Sequence, residues 1–313
     1  VLRPYELNPC RVQPDCLILA TIEVMFGRLR IAGFAILMAF MMLPAAPLPG
    51  QQAPAASGAR ILLLPRRIVS GDRATLAVLD MNGRLTPGVG VAFSNGDHLT
   101  TDATGRAMFV APLNAGVISA GISGRSGKVY TTIQTPTDVA SSTIEIATAP
   151  RVASLSDRFE LSGRGFCGDA DANRVSVDGK GALVLASSPT TLVVLPPADL
   201  DPGESLVELN CAKHDAQPFT VRFVALSLEA DSSRLTPGDH RTLTVRVRGT
   251  TSKVSLEARN LAPEIAELSG GNPARVASSG GVENAATFEL VGRQRGNFVV
   301  SIHLVPTQGA PRR

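Results

Sequence analysis

Tryptophan is absent from this chain of 313 residues, and aromatic side chains make up only 4% of it. A sugar-stacking platform or a hot spot of flat rings would have to be built almost without them. Tyr130 is the only tyrosine beyond the first 56 residues, so the cores must rest on Val, Leu, Ile and Phe. Lysine is scarce as well, occurring after residue 56 only at Lys128, Lys180, Lys213 and Lys253, and the arginines are scattered without forming a block. With a net charge of +3, that pattern fits solvated strand faces and excludes a phosphate-tracking groove, so no nucleic-acid partner is expected.

Chemistry-bearing motifs are also missing. No G-x-S-x-G nucleophile elbow occurs, and His98, His214, His240 and His303 stand at no zinc-ligand spacing from one another or from a cysteine pair. Each histidine reads as a turn or strand-surface residue. A Ser/His/Asp triad assembled in space stays open, because such partners need not be neighbours in sequence. No segment carries a sustained helical period, and no apolar run reaches the roughly 20 residues needed to span a bilayer.

What the chain does have begins with an export pattern. Arg28 and Arg30 form a positive n-region, residues 31–43 an uncharged apolar stretch, and Pro44-Ala45-Ala46 with the tract after it supplies small-residue cleavage positions. Residues 25–56 therefore read as a signal peptide and linker, with a mature N-terminus expected between about residues 47 and 58. Residues 1–24, with Cys10 and Cys16, are either an extended n-region or an upstream extension ahead of the natural start at Met25; the second reading is taken. No cysteine follows the apolar core for lipid attachment, so a membrane is met only through the signal segment if it stays uncleaved. The expected location is secreted, periplasmic or at the cell surface.

Beyond residue 58, apolar residues alternate in short runs bounded by Gly, Pro, Asn, Asp and Ser, which is strand-and-turn grammar. In residues 59–136, Leu76 and Val78 share one strand face, and Val89, Val91 and Phe93 share another. Asp80-Met81-Asn82-Gly83 and Asn95-Gly96 mark turns. Strands are expected at residues 100–102, 107–111, 117–122 and 129–133, giving about seven in the unit, which is sandwich spacing. The segments Ala74-Thr75-Leu76-Ala77-Val78, Pro87-Gly88-Val89 and Thr100-Thr101-Asp102-Ala103-Thr104-Gly105-Arg106-Ala107 resemble those of bacterial immunoglobulin-like (Big/invasin-type) domains. The resemblance implies a scaffold without naming a ligand.

Residues 144–224 carry Pro150, Phe159-Glu160-Leu161-Ser162-Gly163-Arg164-Gly165-Phe166, Asn173-Arg174-Val175, Leu192-Val193-Val194 and Pro202-Gly203, in an order that resembles the IPT/TIG domain. Gly163 and Gly165 would let the strand turn before Phe166 enters the core. Residues 225–306 show the same periodicity and read as a third sandwich, and residues 307–313 as a loose tail. The expected fold class is all-β, with tandem immunoglobulin-like β-sandwiches preceded by a signal peptide.

Three motifs in the second unit bear on chemistry. Gly163 to Gly168 satisfies G-x-G-x-x-G, but Val175 to Val177 reads as a strand where dinucleotide binding needs a helix, so a β-turn is expected. Asp169, Asp171 and Asn173, with Asp178 nearby, open like a calcium loop, yet Arg174 stands where the loop needs glycine and Lys180 where it needs a bidentate glutamate. A polar loop is the reading taken, with a weak calcium site as the alternative. Cys167 and Cys211 are the only cysteines beyond the signal and are expected to form a disulfide. Closing a loop of about 45 residues would stabilise the unit by up to about 4 kcal/mol in the chain-entropy model.

No cofactor, metal or catalytic group is expected. The expected function is an exported, non-enzymatic structural or protein-interaction protein of the bacterial envelope, with an unknown protein partner or cell-surface component, working through exposed loops or free strand edges. The alternatives are an adhesin or carbohydrate-binding protein, and a hydrolase with an unrecognised site.

Overall fold

The computed structural model describes residues 59–136, 143–212, 214–229 and 235–311. The stretches read as a signal segment, its cleavage region and an upstream extension lie outside them. The described residues form strands throughout, with a single 3-10 turn at Ala170–Ala172 and no helix long and apolar enough to cross a membrane.

The first unit holds β1 (Ala59–Leu63), β2 (Arg67–Val69), β3 (Arg73–Asp80), β4 (Gly90–Phe93), β5 (His98–Thr100), β6 (Arg106–Val110), β7 (Gly116–Ile122) and β8 (Val129–Gln134). One sheet runs β1-β3-β6 and the facing sheet β2-β8-β7-β4-β5. Leu76, Val78 and Ala107 from the first pack against Val91, Phe93 and Ala120 from the second, as their period of two dictates. The expected turns form: Asp80 Oδ1 accepts from the amides of Asn82 (2.8 Å) and Arg84 (2.9 Å), so one carboxylate closes the β3 turn. The strand expected at residues 100–102 instead occupies His98–Thr100. Thr101 is buried and its hydroxyl accepts from the Val89 amide and donates to the Thr86 carbonyl, both at 2.9 Å, so it ties the loop instead of extending the strand.

The second unit holds β9 (Glu145–Pro150), β10 (Val152–Ser154), β11 (Phe159–Arg164), β12 (Asn173–Val177), β13 (Lys180–Ser188), β14 (Thr191–Leu195), β15 (Gly203–Cys211), β16 (His214–Asp215) and β17 (Phe219–Glu229). A bulge between Val184 and Ala186 lets β13 pair with β12 at its start and with β14 at its end, so one strand belongs to both layers. Phe159, Leu161, Phe166, Val177, Val207, Phe219 and Phe223 fill the core between them. Gly165 turns at φ +80°, which a side chain would strain, and Phe166 enters the core beside it.

The third unit holds β18 (His240–Arg248), β19 (Ser255–Asn260), β20 (Ala266–Leu268), β21 (Ala274–Ala277), β22 (Ala285–Gly292), β23 (Val300–Leu304) and β24 (Gln308–Gly309). Sheet β20-β22-β18-β17 faces sheet β21-β19-β23 across Leu243, Val245, Leu256, Phe288 and Leu290. The division drawn between residues 224 and 225 falls inside β17, whose Phe223 lies in the second core and Val224 in the third. Part of the stretch expected as a loose tail is paired: Gln308 and Gly309 of β24 bond to Pro150 and Ala149 of β9, because the chain leaving β23 passes the open edge of the second unit.

Candidate functional site

The free edges of the first sandwich converge on one opening. Among the described residues, strand β6 pairs only with β3, and β5 only with β4. The bonds from the Val78 amide to the Gly105 carbonyl and from the Ala111 amide to the Asp72 carbonyl fix the phase of the β3–β6 ladder. Ala107 and Phe109 therefore aim their amides and carbonyls at β3, and Met108 and Val110 aim theirs outward. The bonds Phe93 to Asp97 and Thr101 to Val89 fix the phase of β4–β5 in the same way, leaving the backbone groups of His98 and Thr100 on the outer edge.

Between the two edges lies a groove of about 290 Å³ whose lining includes Phe93, Leu99, Phe109, Val110 and Ile118, with Asn95, Asp97 and His98 also on it. Phe93 and Phe109 meet across the sandwich with ring centroids 5.1 Å apart. Elsewhere on the same unit's surface, Met108, Val110, Leu113, Val117 and Tyr130 are exposed; Val110 is 59% and Leu113 83% accessible. Half of the large exposed hydrophobic side chains of the described residues thus fall within residues 108–130. An edge that offers free backbone donors and acceptors beside an apolar groove can take up an extended segment as an added strand.

Charges frame this edge at its two ends. At the turn joining β5 to β6, the hydroxyl of Thr104 donates to Asp102 and, against a small opposing effect of burial, holds its carboxyl below the usual carboxylate range. Beyond the other end of β6, burial pushes Asp72 upward.

The residues singled out in the sequence go elsewhere. Cys167 and Cys211 are joined by a disulfide with Cα atoms 5.8 Å apart. The G-x-G-x-x-G stretch leads through Asp169, whose side chain caps the 3-10 turn, directly into β12, so the long helix required for a pyrophosphate is not formed there. The carboxylate and amide groups weighed as a calcium loop have other partners. Asp171 pairs with Arg106 at 2.7 Å, Asp178 accepts from the Leu206 amide at 2.8 Å, and Asn173 is buried, its Nδ2 2.8 Å from the carbonyls of both Cys167 and Asp169. No group of three or more His, Cys, Asp or Glu able to hold a metal occurs among the described residues.

His98 sits on the groove, His214 on β16 and His240 at the start of β18, while Nδ1 of His303 lies 2.9 Å from Asp157 Oδ2. The structure therefore spreads the four histidines over separate places instead of gathering them. Sequence reading missed Met108, Phe109 and Val110 as a surface feature. Their signal was the run Ala107-Met108-Phe109-Val110, apolar at consecutive positions where a strand with one wet face alternates.

No family model and no curated protein matches this sequence. Among solved structures, the chain is similar to SGBP-B of the Bacteroides ovatus mixed-linkage glucan utilization locus in complex with a mixed-linkage heptasaccharide, at 12% identity and TM-score 0.27, covering 80% of this chain and 76% of that one. It is also similar to the Escherichia coli adhesin FdeC, at 14% identity and TM-score 0.25, covering 80% and 94%. The Yersinia pseudotuberculosis adhesin InvE matches at 11% identity and TM-score 0.22, covering 83% and 62%.

Proposed function

We propose that this chain is an exported, non-catalytic interaction protein that holds an extended segment of a partner protein along the open edge of its first sandwich. The observation that carries this reading is the groove between β5 and β6, where outward-facing backbone groups of Met108 and Val110 stand beside an apolar floor. An added strand would bond to those groups and drop every second side chain toward Phe93 and Phe109. The partner segment is therefore extended and apolar at alternate positions. The signal pattern and the disulfide both support an oxidising compartment outside the cytoplasm.

Met108→Pro tests this without disturbing β6 itself. The Met108 amide points away from β3, so proline removes an edge donor and leaves the β3–β6 bonds intact. A labelled peptide of about seven residues alternating Val and Thr, titrated against the full chain by fluorescence anisotropy, is expected to bind. Met108→Pro is expected to weaken that binding roughly tenfold. Equal binding by Met108→Pro, or no binding by the unaltered chain, overturns the reading.

A further inference from the structure

The loop that carries Cys167 reaches beyond its own sandwich. The hydroxyl of Thr75, on β3 of the first unit, donates to the Gly168 carbonyl at 2.9 Å and accepts from the Ala170 amide at 3.2 Å. Gly168 lies so close to β3 that a Cβ there would sit 2.0 Å from the Arg73 carbonyl oxygen, so only glycine fits. Arg106, with a side chain 9% exposed, crosses from β6 to pair with Asp171 at 2.7 Å and to donate to the Val184 carbonyl at 3.2 Å.

Behind this contact face, the loop is tied to the second unit in two ways. Asn173 and Ser187 bond to the backbone of Cys167, with the Cys167 amide donating to Asn173 Oδ1 at 3.0 Å. Cys167 is also bonded covalently to Cys211 at the end of β15. A hydrogen-bonded tie can open and close thermally, whereas the covalent tie holds until it is reduced.

We infer that the Cys167–Cys211 disulfide locks the Cys167 loop against the first sandwich, so that this part of the joint, beside the apolar contact of β3 with β13, is held in full only in the oxidised protein. Cys167 is half-buried and Cys211 buried, which makes Cys167 the sulfur open to attack. A dithiol reduces the bond in two steps. Its first thiolate attacks Cys167 Sγ and expels the Cys211 thiolate, which takes a proton. Its second thiolate then displaces Cys167, leaving two cysteine thiols and one oxidised dithiol. Freed from β15, the loop keeps its contacts to Thr75 and Arg106 only as long as Asn173 and Ser187 hold it.

Hydrogen exchange by mass spectrometry on the full chain, with and without dithiothreitol, reads this directly. Reduction is expected to speed exchange roughly tenfold in residues 168–173 and also in 73–77 and 184–188, the strands that meet at the joint. Acceleration confined to residues 165–173 and 203–215 overturns the inference, since the bond would then serve the second sandwich alone. Thr75→Val in the oxidised protein is the second arm. It keeps the volume and the disulfide, removes both hydroxyl bonds, and is expected to loosen residues 73–77 and 184–188 with 203–211 unchanged. If reduction unfolds the second sandwich outright, this variant decides, and unaltered exchange at 73–77 and 184–188 in it overturns the inference.

Discussion

At the scale of single residues, the polar side chains that matter most are those that serve several buried groups at once. Asn173 is one: its amide serves the Cys167 amide and carbonyl, the Asp169 carbonyl and Ser187 Oγ, all at the buried base of the disulfide loop. Asn173→Ala would leave the Cys167 amide without its partner, while the Cys167 carbonyl keeps Ser187 and the Asp169 carbonyl keeps the Ala172 amide, and an unpaired buried polar group costs about 1–3 kcal/mol. We expect a loss of about 1–3 kcal/mol in urea unfolding of the oxidised protein, the cost of one stranded group. A loss below about 0.5 kcal/mol would mean that the loop re-pairs its backbone by itself. Asn173 was singled out in the sequence for its place in an Asp-x-Asp-x-Asn spacing, and the residue proves important for a different reason. The spacing showed polar side chains close together, but it could not show that the third one is buried at the start of β12 while the second reaches Arg106 of another sandwich.

Among elements, β3 separates what was legible from what was not. Its alternation placed Leu76 and Val78 in the first core, where they are. The same alternation puts Ala77 and Leu79 on the opposite face, where they pack with Leu185, Ala186 and Val193 of the second unit, so both faces of the strand are buried. Strand periodicity reports a local preference, whereas burial of the second face depends on a neighbour more than a hundred residues away, at Ser187, paired with Thr75. The run Thr-Leu-Ala-Val-Leu, apolar on both parities, was the available hint. Leu79→Ala is expected to cost about 2–4 kcal/mol in thermal or chemical unfolding, as truncation in a close-packed core does. A cost within about 0.5 kcal/mol would show that this face is solvated. The free edges of β5 and β6 escaped the sequence reading by the same logic, since which strands lack a neighbour is a property of the assembled sheet.

For the whole molecule, the three sandwiches are joined by paired strands. β17 supplies both the second and third cores, β24 returns to β9, and Asp157 of the second unit meets His303 of the third. The last contact gives the second joint a dependence on pH. Burial works to raise the Asp157 carboxyl, but the His303 hydrogen bond, the charges of Arg158 and His303 and the Arg158 amide together outweigh it and hold the group below its ordinary value of 3.8. A carboxyl lowered by folding stabilises the fold in its ionised form. That contribution is present in full above the unfolded-state value and is lost as pH falls through the lower folded value. Near neutral pH, Asp157→Asn is expected to cost about 1.5–3 kcal/mol, the range for a hydrogen bond to a charged group. Urea midpoints for both proteins, followed downward from neutral pH, are expected to stay apart until pH drops below 3.8 and then to converge as the aspartate takes up its proton. A gap that persists unchanged into that acid range would mean that Asp157 acts through packing instead of through its charge. The joint between the first and second sandwiches carries the Arg106–Asp171 pair and, behind it, the disulfide, so thiol acts at that end of the chain.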